Sequence, residues 1–199
     1  MTEFNTQKAE KLTVEDLAHR LLNGNLLKEF GEFLDFLKEE GMRVPWASIN
    51  AFNINYKGKR AGYINIHKIN CVGIKIPTAE PYEFDNYFWG QPDEIIDVFI
   101  KNINMKCTRC YPGHGSGMTV TLFGKQYENY CFNRQRFHFI SSGDNMRTLT
   151  LLGPNTPGNG PPAQSCEVSI EIVKKLILIR KEYIIKMLAA EKPTSSYKV

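Results

Sequence analysis

Between residues 26 and 37 apolar side chains recur every three or four positions: Leu26, Leu27, Phe30, Phe33, Leu34 and Leu37. That spacing gathers them into one stripe and predicts a helix from Leu26 to Glu40. Asn25, after the Asn23-Gly24-Asn25 break, is its expected cap, and Gly41 its expected stop, since glycine accepts the left-handed conformation that ends helices. Upstream, Thr13 and Asp16 resemble a capping box with Asp in place of Glu, which predicts a short helix through Leu22.

From Ala47 to Ile76 the period changes to two. Phe52, Ile54 and Tyr56 alternate with Asn53 and Asn55, Lys57-Gly58-Lys59 makes a turn, and Ile64 and Ile66 alternate with Asn65 and His67. A third strand, CVGIKI, follows Asn70 and ends at Pro77. This predicts an antiparallel meander with one oily face, which the helix stripe would cover. Residues 77–91 read as a loop crowded with Tyr82, Phe84, Tyr87, Phe88 and Trp89. Pro92 then opens a helix, with Asp93 and Glu94 near its positive end and Ile95, Ile96, Val98, Phe99 and Ile103 on its buried side.

The loop CTRCYPGHGSG leads into a second meander. Met118, Val120 and Leu122 alternate with threonines, Gly124-Lys125 turns the chain, and Gln126 to Phe132 returns. Residues 137–140 and 146–152 read as further strands. Four Gly or Pro pairs in GPNTPGNGPPA (153–163) exclude regular structure and predict a connector or flap. A long helix from about Ser169 to Ala190 closes the pattern, with Val173, Leu176, Ile177, Ile184, Met187 and Leu188 apolar, and the tail after Pro193 is expected to fray. The fold class is therefore α+β: two antiparallel β-meanders forming a curved sheet covered by helices, with a long C-terminal helix. One domain spans 1–192, in halves 13–104 and 105–192, ahead of a tail at 193–199. The segments NINYKGKRAGYINI and TVTLFGKQYENYCF carry Gly-Lys in register, which hints at a pseudo-repeat of the two halves.

The run EEGMRVPW at the end of a helix, followed by a strand, a YKGK turn and two more strands, resembles small uncharacterised bacterial α+β domains of the YjbR/MmcQ type. The resemblance covers roughly residues 26–77 and implies a fold class. It implies no catalytic residues, and the cysteine-bearing second half lies outside it.

Charge divides the chain unevenly. Residues 1–41 carry a balance of −4, residues 101–150 one of +5, and the whole chain +4. That total is too small to argue for nucleic acid by itself. No stretch approaches the roughly 18 apolar residues of a membrane span, and the polar N-terminus is no secretory leader. Five cysteines without a leader point to a reducing, cytoplasmic setting.

The sharpest chemical signal is Cys107-Thr108-Arg109-Cys110, with His114 four residues on and Cys131 beyond. Two cysteines separated by two residues can hold one tetrahedral ion, and a structural zinc needs two further ligands. If Gly124-Lys125 is a two-residue turn, Cys131 faces Met118 and returns to the loop that holds His114. Zinc at Cys107, Cys110, His114 and Cys131 would then pin that loop. Against it stand the single C-x2-C pair and a register that leaves Cys131 among apolar neighbours, where it reads equally as a buried thiol. Arg109 beside the pair also suits redox chemistry. Cys71 and Cys166 would complete an all-cysteine site, but their distance in sequence favours a core role.

In an extended strand Arg134, Arg136 and His138 share one face, and Phe137 and Phe139 the other. The basic face reads either as solvated or as an anion site. The expected function is a small-molecule-binding or accessory domain. Its cleft would be bordered by the aromatic loop, the 107–117 loop and the 153–163 flap, with Arg134, Arg136 and His138 meeting an anionic end. One competing reading is an enzyme: a thiol activity at Cys110 or Cys131 with His114 or His138 as base, or metal-assisted hydrolysis. The other is nucleic-acid binding through the basic 134–147 segment. HGSG around Ser116 lacks the spacing of a nucleophile elbow, and the glycines at 113, 115 and 117 make no phosphate loop. His19, His67 and the carboxylates Asp93, Glu94 and Asp97 read as structural or solvated.

Overall fold

The first helix, α1 (Val14–Leu21), is held at its start by the Thr13–Asp16 pair. The Asp16 N–H donates to Thr13 Oγ1 and the Thr13 N–H to Asp16 Oδ2, each at 3.1 Å. Two otherwise unsatisfied donors are thereby used. The hydrogen bonds from Thr13 also hold the Asp16 carboxyl below the usual carboxylate range. The structure, a computed structural model, describes residues 7, 10, 12–77, 90–104, 118–122, 124–130, 136–142, 144–152 and 165–191.

Helix α2 (Gly24–Glu39) begins two residues earlier than the apolar stripe suggests, with Asn23 rather than Asn25 at the cap. The Asn23 side chain makes no capping bond because it is engaged elsewhere. It accepts from Asn70 Nδ2 at 2.8 Å, while its own N–H donates to Asn70 Oδ1 at 3.0 Å. The far end stops at Gly41 as expected. Gly41 takes φ +72°, its N–H reaches the Lys38 carbonyl, and the Met42 N–H reaches that of Leu37, both at 2.9 Å. That pair of bonds is the Schellman arrangement.

Strands β1 (Trp46–Ser48), β2 (Ala51–Tyr56), β3 (Lys59–Lys68) and β4 (Cys71–Pro77) follow, then helix α3 (Asp93–Asn104). Next come β5 (Met118–Leu122), β6 (Lys125–Tyr130), β7 (Arg136–Ser142), β8 (Thr148–Leu152) and β9 (Ser165–Ser169), and finally α4 (Ile170–Ala190). Seven strands form one antiparallel sheet in the order β1-β2-β3-β4-β7-β8-β9, and β5–β6 make a two-stranded sheet of their own. The fold is α+β, with the long C-terminal helix packed on β3, β4 and β9.

The two glycine-lysine turns are alike locally. Lys57 and Gly58 form the β2–β3 loop with φ +46° and +79°, so that Tyr56 pairs with Lys59. Positive φ at both positions gives the primed turn whose twist suits flanking strands. Gly124 takes φ +71°, and Leu122 pairs with Lys125. The second loop thus closes one residue earlier than a Gly124-Lys125 turn, with Lys125 already in the ladder. A register shift between Met118 and Val120 then places Tyr130, not Cys131, opposite Met118. The likeness of the halves ends at these turns, since β2–β4 enter the large sheet and β5–β6 do not.

Strand β9 falls between the 153–163 connector and the expected helix start near Ser169, where the sequence pattern predicted no element. It has two inward positions, Cys166 and Val168, too few to register as alternation. Ser169 ends it and caps α4, accepting the Ile172 N–H at 3.4 Å.

One face of the large sheet is closed. Phe52, Ile54, Ile64, Ile66, Ile74, Ile76, Phe137, Phe139, Leu149, Leu151 and Val168 sit at alternate strand positions and join Leu26, Phe30, Phe33, Leu37, Phe99 and Ile177 from the helices in a single core. The Phe137 ring stacks on Phe139 at 5.9 Å and meets the edge of Phe99 at 6.2 Å. Polar ties hold the helices in place. Glu29, on α2, accepts the Met146 N–H at 2.6 Å and Arg147 Nε at 2.9 Å, Lys181 reaches Glu40 at 2.7 Å, and Lys175 pairs with Glu94. Among the described residues no helix is long and apolar enough to cross a membrane.

Candidate functional site

The opposite face of the sheet carries the intervening side chains. Antiparallel pairing sets Tyr63 on β3 beside Lys75 on β4, and Lys75 beside His138 on β7. The next row holds Asn65, Gly73, Ile140, Thr150 and, on β9, Glu167. None of these residues belongs to the core cluster, and Tyr63, Asn65, Lys75, His138, Ile140 and Thr150 are all half-buried.

Gly73 is the low point of this surface. A Cβ at that position would stand 2.7 Å from His67 Nε2, 3.2 Å from His67 Cδ2 and 3.7 Å from His138 Nε2. Contact at 2.7 Å is closer than carbon and nitrogen tolerate, so the His67 ring lies in the space that only glycine leaves open. His67 reaches it from a register shift in β3 between Ile66 and Lys68. Such irregularities re-aim a side chain relative to the regular pleat. Imidazole nitrogens from two strands therefore converge over a third.

Partial burial lowers the His67 pKa below the ordinary histidine value, and the positive charge of Lys75 lowers it further. The Lys75 ammonium also lies 5.9 Å from the centre of the Tyr63 ring, and the Tyr63 hydroxyl is 3.3 Å from Ser48 Oγ. Asn65 Oδ1 is buried on the same face with no hydrogen-bond partner among the described residues. The arrangement combines one fixed cation, two imidazoles and an amide acceptor. Lysine and histidine donors recognise anionic oxygen, and an imidazole neutral near pH 7 is also able to accept a proton.

Of the ligand-binding residues expected from sequence, His138 is in this constellation. Arg136 is placed by its backbone opposite Pro77 at the end of the same ladder. Arg134 and the aromatic residues Tyr82, Phe84, Tyr87, Phe88 and Trp89 lie outside the described residues, as do Cys107, Cys110, His114 and Cys131. Cys71 and Cys166 take the non-ligand role that their distance in sequence favours, Cys71 buried in the sheet and Cys166 packed against the core. Cys71 is on β4 and Cys166 on β9, with β7 and β8 between them. Strands about 4.8 Å apart put the two thiols well beyond the reach of one ion. Burial pushes both thiols above the usual range. Among the described residues no three histidine, cysteine or carboxylate side chains gather around a common point.

His67, Lys75, Asn65 and Gly73 were not singled out from sequence as site residues. His67 follows the alternation of β3 into a solvated role, and nothing local says that β7 returns beside β4 across α3 and the β5–β6 hairpin.

Two open clefts lie elsewhere. One, of about 390 Å³, is lined by Gln7, Leu12, Glu15, Pro45 and Trp46 among others. Its Gln7 amide is engaged at both ends by Asn50. The other, of about 360 Å³, includes Glu29, Arg147, Ser169 and Lys174, of which Glu29 and Arg147 are paired with each other. Neither cleft contains a residue expected from sequence to bind a ligand. Compared with known proteins, the chain matches no family model, no curated protein and no solved structure.

Proposed function

We propose that this chain is a small-molecule-binding domain and that its ligand presents an anionic end to the outer face of the large sheet. The convergence of His67 and His138 over Gly73, with Lys75 alongside, supports this reading. Lysine attracts the charge, the imidazoles supply directed donors, and Asn65 Oδ1 accepts from a hydroxyl or N–H on the ligand. These groups are the donors and acceptor that hold an anion, and binding is the use this reading assigns to them. Replacing Gly73 with Val tests this. The branched side chain fills the hollow, displaces His67 and should reduce affinity for inorganic sulfate or acetate at least tenfold, while the circular dichroism spectrum stays that of the wild type. Unchanged affinity in a folded Gly73→Val protein contradicts the assignment.

A zinc ion held by Cys107, Cys110, His114 and Cys131 is a second, separable proposal. The β5–β6 hairpin favours it, because Tyr130, the neighbour of Cys131, pairs with Met118, which follows His114 by four residues. Elemental analysis of purified protein should find about one equivalent of zinc per chain, as a closed four-ligand site holds one ion. Less than about one-tenth of an equivalent removes the proposal.

A further inference from the structure

We infer that anion binding at the outer face is coupled to uptake of one proton, that His67 is the group that takes it, and that Gly73 exists to seat the neutral ring. This rests on the binding reading above and adds its regulation. The His67 imidazole brings its Nε2–Cδ2 edge into a space without a Cβ, with His138 Nε2 facing the same volume from β7. Among the described residues, the charged and titratable groups that the strand register sets around it are Lys75 and Cys71 on β4, Lys68 next to it on β3, Tyr63 on β3 and His138 on β7. In the outer row that runs through Gly73, Ile140 and Thr150, the first carboxylate is Glu167 on β9. Three strand spacings put that carboxylate about 14 Å from Gly73. At that separation, in physiological salt, it does little for a charge on His67.

With no anion present, a proton on His67 adds a second cation beside Lys75 in a partly desolvated place. An anion delivered between them reverses the sign of the local field. The imidazolium then gains an acceptor for its added N–H and a negative charge beside it, so the bound state prefers the protonated ring. By linkage, a ligand that raises the proton affinity of His67 must itself bind more tightly as protons become available. Affinity should increase by up to about tenfold per unit of pH as pH falls through the range in which the free protein leaves His67 neutral. A surface of fixed charge, such as two lysines, shows no such slope.

Sulfate is the suitable probe because it does not titrate near neutrality, and acetate above pH 6 supplies the carboxylate counterpart. Imidazole resonances followed against pH should show the His67 titration moving upward on addition of sulfate. Calorimetry in two buffers of different ionisation enthalpy should give close to one proton taken up per sulfate bound near pH 7. In His67→Gln the uptake should vanish, while weaker binding through Lys75 and His138 remains. Sulfate-induced shifts on β3, β4 and β7 without proton uptake, or with an unmoved His67 titration, overturn the coupling and leave the binding reading intact. Absence of shifts on those strands with either anion overturns the binding reading itself. A larger effect of acetate than of sulfate assigns the ligand to carboxylates, and the reverse order assigns it to phosphate- or sulfate-like groups.

Discussion

The two faces of strands β3, β4 and β7 are built from neighbouring residues and do opposite things. On the inner face Ile64, Ile74 and Phe139 interlock with the helices and are fully buried. On the outer face Asn65, Lys75 and His138, one step along each strand, stay half-buried and polar around a glycine. The inner face is continuous and tolerates no gap. The outer face has a gap at its centre, kept open by Gly73 and occupied by a titratable ring. Stability should therefore answer to inner substitutions, and proton and anion affinity to outer ones.

The largest expected effect is on the inner face. Phe139→Ala removes a fully buried ring that stacks on Phe137, and should lower unfolding stability by about 3–5 kcal/mol, read as a shifted urea midpoint. Its neighbour in sequence on the outer face, His138, gives the contrast. His138→Gln should change stability by no more than about 1 kcal/mol while weakening sulfate binding. A comparable stability loss in the two variants would erase the distinction between the faces.

Glu29→Ala comes next. Glu29 is 13% exposed and holds the N–H of the fully buried Met146. Leaving that donor unsatisfied should cost about 1–3 kcal/mol. The loss should appear in the same urea titration and leave the outer-face histidines unchanged.

Gly73→Ala sharpens the outer side of the comparison. The methyl group cannot coexist with the His67 ring where it stands, and that ring is the end of a rotatable side chain with room to swing outward. Stability should move by about 1 kcal/mol or less, while the His67 pKa rises toward the ordinary histidine value as desolvation is relieved. Lys75→Gln should raise the same pKa by a smaller amount, because burial, not the neighbouring charge, is the larger cause of its depression.

The smallest effect is on the pH dependence of folding. His67 is held below its unfolded value, so the unfolded chain takes up the proton first. Its contribution is fully present above about pH 6.5 and is lost as pH falls from there through the folded-state pKa. Gly73→Ala should flatten that part of the stability profile.

Local pattern made most of the fold legible. The stripe from Leu26 to Leu37, the Thr13–Asp16 cap, the Gly41 stop and the alternation of β2, β3 and β7 each depend on residues within one turn or a few positions. What escaped depends on distant partners. Asn23 takes the cap position of α2 in place of Asn25, with its side chain tied to Asn70, 47 residues away, instead of to the helix. Lys125 is in the ladder because Gly124 supplies the positive φ one position earlier. Strand β9 is short and acquires its meaning only from β8 beside it. The site divides the same way. His138 was readable from its alternation with Phe137 and Phe139. Its meeting with His67 was not, since it follows from the joining of β4 to β7 across the 58 residues between Pro77 and Arg136, well beyond the reach of any periodicity.

The most direct test is a map of amide shifts in a two-dimensional nitrogen–proton spectrum as sulfate is added near pH 6. The largest shifts should fall at Asn65, His67, Gly73, Lys75 and His138, with Ile64, Ile74 and Phe139 moving least. Largest shifts at the Glu15–Trp46 cleft or the Glu29–Lys174 cleft, or none on the outer face, would contradict the account.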